Sequence, residues 1–243
     1  MMSSQRKKPF KRILLKISGE VLCGQGSHGF DKTILSNLAH TLKKLHDLKI
    51  EICLVVGGGN FFRGAQNCDE LISRVGADTI GMMATVMNGV ALQDALGSIG
   101  LPSVLVSNKS YGDAVQGFNA HQHQEDVSSG KIVIFVGGLG IPFLTTDTCG
   151  VIRALEMTCD CLFKATKYPG IYDKDPAQNP EAKHFATLSY DDAIKYQLKA
   201  MDQTAFVLAK ENSLELIVFS LFPIENIVKI IQDDPTVQYT HMN

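Results

Sequence analysis

Residues Ile50 to Gly64 read IEICLVVGGGNFFRG, in which a continuous apolar run ends in three consecutive glycines. An uninterrupted run of Ile, Leu and Val predicts a strand that is buried on both faces, as in a parallel sheet covered by helices. Glycine allows tight turns and lets a ligand approach main-chain N–H groups, at a cost in conformational entropy. The glycines at this strand end therefore suggest either a ligand-binding turn or an ordinary tight turn.

Strands and helices alternate along the rest of the chain. An apolar stripe from Asp31 to Leu48 and a Met- and Ala-rich segment from about Asp78 to Leu96 are typical of helices. A third helix begins near TTDTCGVIRALEM, where Thr145 or Thr146 can cap it. This alternation predicts an α/β fold, a three-layer αβα sandwich with a mostly parallel central sheet. The five other predicted strands are Arg12 to Ile17, Ser103 to Ser107, Lys131 to Val136, Cys161 to Lys164 and Glu215 to Ser220.

Length and composition fit one globular domain. The chain has 243 residues, of which 45% are hydrophobic, and we predict a single domain over residues 11–243 after a flexible basic tail over residues 1–10. Its 23 Lys and Arg residues nearly balance 25 Asp and Glu residues, and both signs are spread along the sequence. This balance argues against a nucleic-acid or membrane-surface partner.

No apolar stretch approaches the roughly 18 residues of a membrane span, and Lys16 interrupts the first apolar run before it could form a secretion signal.

The cysteine and histidine residues do not form a pattern typical of a metal site. The six cysteines are scattered without a CxxC pair, so we predict reduced, mostly buried thiols in a cytoplasmic protein. Cys159 and Cys161 lie two residues apart, but a metal would need two further ligands nearby, so core packing is favoured. His121 and His123 point to different faces of a helix, and we predict a solvated polar segment there. We therefore predict no metal-binding residues in the protein itself.

Unusual residues follow four of the predicted strands. Ligands of parallel sheets bind beyond the carboxyl ends of the strands, where this chain carries KISGE, GGGNFFRG, GGLGIPFLTTD and KATKYPG. No GxxxxGK[ST] pattern occurs, and Phe62 and Phe143 stand where the dinucleotide pattern GxGxxG needs its third glycine. A P-loop enzyme and a dehydrogenase are therefore disfavoured.

Two glycine-lined strand ends remain, accompanied by charged side chains. Runs of N–H groups in such turns form anion-binding nests. Lys16, Arg63 and Lys164 add positive charge, and Asp147 stands at a helix start. Phosphoryl transfer requires mainly positioning and positive charge around the transferred group. The pattern favours one phosphorylated donor and one phosphorylated acceptor, with Asp147 holding the lysines in place.

Six sequence blocks resemble the bacterial UMP kinase branch of the amino-acid kinase family. They occur in the family's order from about residue 11 to about residue 219, and six blocks in order are far more specific than any one of them. The blocks are KISGE (Lys16 to Glu20), VVGGGNFFRG (Val55 to Gly64), GADTIGMMATVMNGVALQDAL (Gly76 to Leu96), GGLGIPFLTTDT (Gly137 to Thr148), KATKYPGIYDKDP (Lys164 to Pro176) and MDQTAF (Met201 to Phe206).

The resemblance implies transfer of the γ-phosphoryl group of ATP to UMP, with Mg²⁺ accompanying ATP. It also implies a homohexamer and allosteric inhibition by UTP. The catalytic residues implied by the resemblance are Lys16, Asp147, Arg63 and Lys164. The residues implied to bind ATP are Lys16, Ile17, Ser18, Gly19, Gly59, Arg63, Thr166, Tyr172 and Asp175. The residues implied to bind UMP are Gly58, Asp78, Leu139, Gly140, Ile141, Pro142, Phe143, Leu144, Thr145 and Thr146.

Two blocks depart from the family pattern. Leu139 and Ile141 replace a Thr and an Asn of GGTGNPFFTTD, so contacts with UMP at these positions must come from the backbone. The turn GSHGFD over residues 26–31 differs from the GFGID turn that relatives use in activation by GTP. Two alternatives stay open: a nucleotide-binding or oxyanion storage protein, which the lysines and Asp147 disfavour, and a kinase acting on an amino-acid carboxylate, which Asp78 disfavours.

Overall fold

A computed structural model describes residues 10–63 and 69–243 of the chain. The predicted basic tail lies outside the described residues except for Phe10, and so do Gly64 and Cys68. Phe10 is buried and packs edge-on against Phe163, with ring centroids 5.3 Å apart. The packed part of the chain therefore includes the last residue that the sequence assigned to the tail.

A large sheet forms the middle layer of the molecule. All six predicted strands are confirmed to within two residues at each end. The strands of the described residues are β1 (Arg12–Ile17), β2 (Glu51–Val56), β3 (Ser103–Ser107), β4 (Gln116–Gly117), β5 (Ile132–Phe135), β6 (Cys161–Thr166), β7 (Ile171–Tyr172), β8 (His184–Phe185), β9 (Thr187–Leu188), β10 (Glu215–Ser220) and β11 (Tyr239–Met242). Nine of them form one sheet in the order β4-β3-β5-β2-β1-β6-β10-β11-β9, and β7 pairs with β8 separately. Every neighbouring pair in the large sheet is parallel except β10 with β11, which confirms the mostly parallel sheet.

Helices cover both faces of this sheet. The three predicted helices are confirmed, and the second begins four residues earlier than predicted because Ser73 caps it by accepting the N–H of Gly76 at 3.2 Å. The α-helices of the described residues are α1 (Lys32–Asp47), α2 (Arg74–Gly97), α3 (Ala120–Ser128), α4 (Thr146–Glu156), α5 (Tyr190–Lys195), α6 (Gln203–Glu211) and α7 (Asn226–Ile231), with a 3-10 helix at Gly19–Cys23. One core cluster packs α1, α2 and α7 on the sheet and the other packs α3 to α6. The predicted three-layer αβα sandwich is confirmed.

The register of the central strands places two lysines side by side. β1 and β6 are parallel neighbours, and their register pairs Lys16 with Lys164. Residues two apart in a strand point to the same face, so both lysines share the face of Leu14 and Leu162, which belong to the cluster that packs α4. The fold therefore brings Lys16 and Lys164 together beneath the helix that begins with the TTD sequence.

The prediction of a solvated polar segment is wrong for His123. This side chain of α3 is 1% exposed, its Nδ1 lies 3.0 Å from Asp126 Oδ2, and its Nε2 lies 3.2 Å from Gly117 O. His121 is exposed, as predicted. The two histidines do point to different faces of α3, and His123 points toward the sheet.

By length and composition alone, α2 would suffice to cross a membrane. A core helix can pass the same test, and Leu92 and Leu96 of α2 are fully buried in the core cluster that packs α1. Part of its surface therefore covers the sheet.

Candidate active site

Lys16, Lys164 and Asp147 form a compact charged cluster at the carboxyl ends of β1 and β6. Lys16 Nζ lies 2.8 Å from Asp147 Oδ1, and Lys164 Nζ donates a hydrogen bond to Asp147 Oδ2. Both lysines are buried. A buried charge is costly unless it is paired, and here one carboxylate pairs with two ammonium groups. The cluster keeps one excess positive charge, which suits an anionic ligand.

The cluster shifts the pKa of its members. Burial raises the pKa of Asp147, but the charges of Lys16 and Lys164 outweigh burial and lower it to about 2. Burial lowers the pKa of Lys164 to about 8, although Asp147 opposes this shift. Lys164 therefore titrates close to neutral pH, and a phosphate bound beside it would favour its charged form.

Asp147 is positioned by Asp202, a residue to which the sequence analysis gave no role. Thr145, rather than Thr146, caps α4, and its Oγ1 accepts the N–H of Asp147 at 3.0 Å. Thr145 Oγ1 also donates to Asp202 Oδ2 at 2.5 Å, and Thr148 Oγ1 donates to Asp202 Oδ1 at 2.9 Å. Asp202 in turn caps α6 by accepting the N–H of Ala205 at 2.9 Å. It thereby fastens the start of α4, and with it Asp147, to the start of α6.

The consecutive glycines of the opening stretch allow close backbone packing. A Cβ on Gly58 would lie 2.7 Å from Gly81 O of α2, and a Cβ on Gly19 would lie 2.5 Å from Gly57 O. A Cβ on Gly59 would meet only side chains, at 3.3 Å or more. The turn is therefore tight at Gly57 and Gly58, and only Gly59 leaves room beside its backbone.

Asn60 fixes this turn on α2 through a reciprocal amide pair with Asn88. Asn60 Nδ2 donates to Asn88 Oδ1 at 2.9 Å, and Asn88 Nδ2 donates to Asn60 Oδ1 at 2.7 Å and to Gly57 O at 2.6 Å. Both side chains are buried. Because an unpaired buried amide is costly, the pair holds the turn in one position.

A cavity of about 980 Å³ opens from the lysine cluster, a volume that suits a nucleotide. Its wall includes the apolar side chains of Leu198, Val218 and Phe222. The predicted catalytic or ATP-binding residues that line it are Lys16, Ser18, Gly59, Lys164, Thr166, Tyr172 and Asp175. A second cavity of about 670 Å³, lined by Thr145, Asp147 and residues 197–203, adjoins Lys164 as well.

Three of the predicted ATP-binding residues do not line the larger cavity of about 980 Å³. The side chain of Ile17 is buried in the core, and Gly19 packs against the glycine turn. Arg63 forms an ion pair with Glu20, whose Oε2 lies 3.7 Å from Lys167 Nζ. Glu20 lines the larger cavity, so Arg63 pairs with a residue of the cavity wall.

The segment predicted to bind UMP follows β5 through left-handed backbone. Gly137, Gly138 and Gly140 have φ angles of 70°, 55° and 76°, a region that favours glycine. Phe143 has a φ of 70° as well, and such a conformation in a bulky residue is often associated with a functional site. The N–H of Phe143 donates to Asp78 Oδ2 at 2.8 Å. The segment is thereby tied to the start of α2.

Arg74 completes the contact between α2 and this segment. Its Nε donates to Asp78 Oδ2 at 2.8 Å, and its guanidinium lies 5.4 Å from the centroid of the Phe143 ring. Arg74 precedes the helix that the sequence predicts from about Asp78, so it was not identified as a site residue. Residues four apart are neighbours on a helix surface, and the relation of Arg74 to Asp78 therefore follows only from the observed start of α2 at Arg74.

The two departures from the family pattern lie in different environments. Leu139 is 9% exposed and packs in the core, whereas Ile141 is 58% exposed. A ligand would therefore meet the backbone but not the side chain of Leu139. Of the other predicted residues in this segment, Gly140 is buried, Pro142 and Thr146 are half-buried, and Phe143, Leu144 and Thr145 are exposed.

Comparison with known proteins gives one consistent result. The profile of the amino acid kinase family matches residues 11–220. The uridylate kinase of Rickettsia prowazekii (strain Madrid E) is 40% identical over 95% of both chains, and that of Hydrogenovibrio crunogenus is 41% identical over 96% of this chain and 98% of the relative. The crystal structure of UMP kinase from Bacillus anthracis superposes with a TM-score of 0.91 at 32% identity, covering 97% of each chain.

Proposed function

Because the chain belongs to the amino acid kinase family, we propose that it transfers the γ-phosphoryl group of ATP to UMP, forming ADP and UDP. The observation that carries the proposal is the buried cluster of Lys16, Asp147 and Lys164 beside a nucleotide-sized cavity. The names of the relatives, which are similar over nearly the whole chain, support the same reaction. UDP formed in this way would supply the synthesis of UTP and CTP.

We assign charge neutralisation to the lysines and their orientation to Asp147. Phosphoryl transfer brings two anionic nucleotides together and redistributes negative charge among their phosphates. Lys16 would bridge the phosphates of both nucleotides, with Lys164 beside it and Arg63 adding charge on the ATP side. The phosphate of UMP is already an anion at neutral pH, so the reaction needs no general base.

We place ATP in the large cavity, which suits the adenosine and phosphate groups of a nucleotide. Thr166, Tyr172 and Asp175 would hold adenine and ribose, and residues 16–19 with Gly59 would lie along the phosphates. UMP would lie across the glycine turn from ATP, near Gly58 and along residues 139–146. Asp78 would bind the ribose hydroxyls, since it already adjoins that segment through Phe143.

We propose Mg²⁺ as the ion that accompanies ATP. The described residues contain no group of three His, Cys, Asp or Glu side chains that could hold a metal by themselves. Mg²⁺ usually keeps several waters and binds through substrate phosphates with few protein ligands, so its ligands would come mainly from ATP and water. When bound, the ion would neutralise charge on the phosphates of ATP.

We further propose a homohexamer in the cytoplasm, with allosteric inhibition by UTP. The outward face of α2 carries an exposed apolar stripe of Ile80, Met83, Met87 and Val90, whose spacing of three and four residues places them on one side of the helix. Such a stripe suits a contact between copies of the chain. Buried thiols such as Cys53 suit a reducing compartment.

Replacing Asp202 with Asn should lower kcat by about tenfold, because a small misplacement of a catalytic group costs rate. Asn caps a helix about as well as Asp, so α6 should stay capped. The two carboxylate oxygens accept from Thr145, Thr148 and the N–H of Ala205, whereas the single amide oxygen has two lone pairs and cannot accept from all three donors. If Asn keeps the cap of α6, the start of α4 loses a constraint. Steady-state kinetics and thermal melting measure the two effects. Asn119→Asp at the cap of α3 is the control, and an unchanged kcat in Asp202→Asn would contradict the positioning role.

The direct test of the proposed function is ADP formation from ATP with each of UMP, CMP, dTMP, aspartate and N-acetylglutamate. Activity confined to UMP is the expected result. Activity with an amino-acid carboxylate instead would identify the alternative kinase. ATP binding without transfer to any acceptor would favour a storage protein.

A further inference from the structure

Arg153 of α4 is a buried cation that the proposed reaction does not use. Its side chain is 1% exposed, and its guanidinium lies 3.9 Å from the centroid of the Phe118 ring and 5.0 Å from that of Phe135. One terminal nitrogen donates to Glu156 Oε2 at 2.6 Å. Because a buried guanidinium must be held by acceptors and aromatic faces, its position is fixed by contacts on several sides.

The second terminal nitrogen of Arg153 donates to Asn108 Oδ1 at 2.8 Å. A guanidinium can only donate hydrogen bonds, so this contact fixes the orientation of the Asn108 amide. The NH₂ group of Asn108 must point the other way, and its Nδ2 donates to Leu139 O at 3.1 Å. Asn108 thereby transmits the position of a buried group in α4 to the backbone of the segment that follows β5.

The hydrogen bond from Asn108 reaches the segment after β5 at Leu139. Its side chain packs in the core, and its carbonyl oxygen is held by Asn108. The residues on either side, Gly138 and Gly140, are both left-handed, so the backbone here follows a path that depends on these anchors. Because the side chain of Leu139 is buried, only its backbone can meet a ligand.

We infer that Asn108 and Arg153 are positioning residues for the acceptor nucleotide: together they hold the backbone of residues 138–140 in the conformation that binds UMP. The inference rests on the proposed function. It assigns the two residues to the acceptor side alone, because the chain of contacts ends at Leu139 and not at residues that line the large cavity.

Replacing Asn108 with Asp separates the two contacts of this side chain. The carboxylate still accepts from Arg153, but it has no donor for Leu139 O and places negative charge beside that carbonyl. We expect the KM for UMP to rise about tenfold, as for loss of one hydrogen bond whose acceptor then faces a negative charge, with kcat and the KM for ATP unchanged. Asn108 is an exposed residue, so thermal stability should stay near that of the wild type.

Gln93→Glu is the matched control. Gln93 of α2 donates from Nε2 to Ser103 O at 3.2 Å, at the other end of β3, so the exchange removes a side-chain amide donor to the strand that leads to Asn108. It should leave both KM values unchanged. An unchanged KM for UMP in Asn108→Asp would overturn the inference, and so would an equal rise in the KM for ATP, because that would indicate a general structural effect.

Calorimetric titration with UMP alone separates this inference from the proposed function. A wild-type chain that binds UMP without phosphorylating it would overturn the proposed reaction, and weaker UMP binding by Asn108→Asp than by Gln93→Glu would still support the positioning role. Equal binding by the two variants would overturn it. If the wild-type chain does not bind UMP, both proposals are wrong.

Discussion

Replacing Lys16 with Ala is expected to lower kcat for the reaction of ATP with UMP by on the order of 10²-fold or more, as for loss of a preorganised donor. Lys16 is buried at the end of β1, and its ammonium group lies 2.8 Å from Asp147 Oδ1. This pairing holds the charge in place before the nucleotides bind, so it needs no reorganisation as charge shifts among the phosphates. The loss should therefore fall mainly on the transition state and less on the affinity for either nucleotide.

Steady-state kinetics at saturating ATP and UMP measure this effect, and thermal melting shows whether the variant is folded. Lys11→Ala is a suitable control, because the side chain of Lys11 is 77% exposed and pairs with Glu51 at 3.3 Å beside the opposite end of β1. Surface pairs of this kind contribute little. A folded Lys16→Ala variant with the kcat of Lys11→Ala would contradict the catalytic role of Lys16.

The pairing of Lys16 with Lys164 could be predicted because it depends on short-range features of the chain. Each lysine ends an apolar run of strand length, and parallel strands present their carboxyl ends at one edge of the sheet. The observed register then places the two residues opposite each other. The six long strands and the mostly parallel sheet follow from the same kind of pattern, since burial on both faces leaves a continuous apolar run.

Short strands gave no such signal. β4, β7, β8 and β9 have two residues each, too few to show a period of any kind. β11 alternates between buried and half-buried residues next to β10, and its sequence YTHM contains too few apolar residues to identify a strand.

The partners that position the site could not be predicted because they lie far apart in the sequence. Asp202 and Thr145 are separated by 57 residues, and Asp78 and the N–H of Phe143 by 65. Nothing near Asp202 in the sequence shows that its carboxylate joins two helix starts. The role of each glycine in the turn could not be predicted either. A glycine required for packing on α2, as at Gly58, cannot be distinguished by sequence from a glycine required for ligand binding.

Replacing Asp147 with Asn is expected to reduce kcat by on the order of 10²-fold as well, although Asn has nearly the same size. The exchange removes the carboxylate that the two buried lysines share, while Asp202 still favours the charged form of Lys164, though more weakly than Asp147 does. In the wild type, burial lowers the pKa of Lys164 to about 8 while Asp147 opposes the shift, so removing the carboxylate should lower that pKa further. Because Lys164 acts in its charged form, kcat/KM should decline as pH rises through the pKa of the free enzyme. The decline should begin at lower pH in Asp147→Asn than in the wild type.

The same substitution should have a pH-dependent effect on stability, which distinguishes an ion-paired carboxylate from a simple helix cap. The lysines lower the folded-state pKa of Asp147 to about 2 from an ordinary value of 3.8, against the effect of burial. Its charge therefore stabilises the fold above about pH 4, on the order of 2 kcal/mol, and this contribution is lost as pH falls toward 2. Urea unfolding should show Asp147→Asn to be less stable than the wild type at pH 7, with the difference narrowing in acid.

Asp160→Asn, which alters a carboxylate that accepts the N–H groups of Lys11 and Arg12, controls for the loss of a carboxylate outside the cluster. If Asp147→Asn had the kcat and the pH 7 stability of the wild type, Asp147 would be only a residue of the first turn of α4, without a role in catalysis or in pairing the lysines.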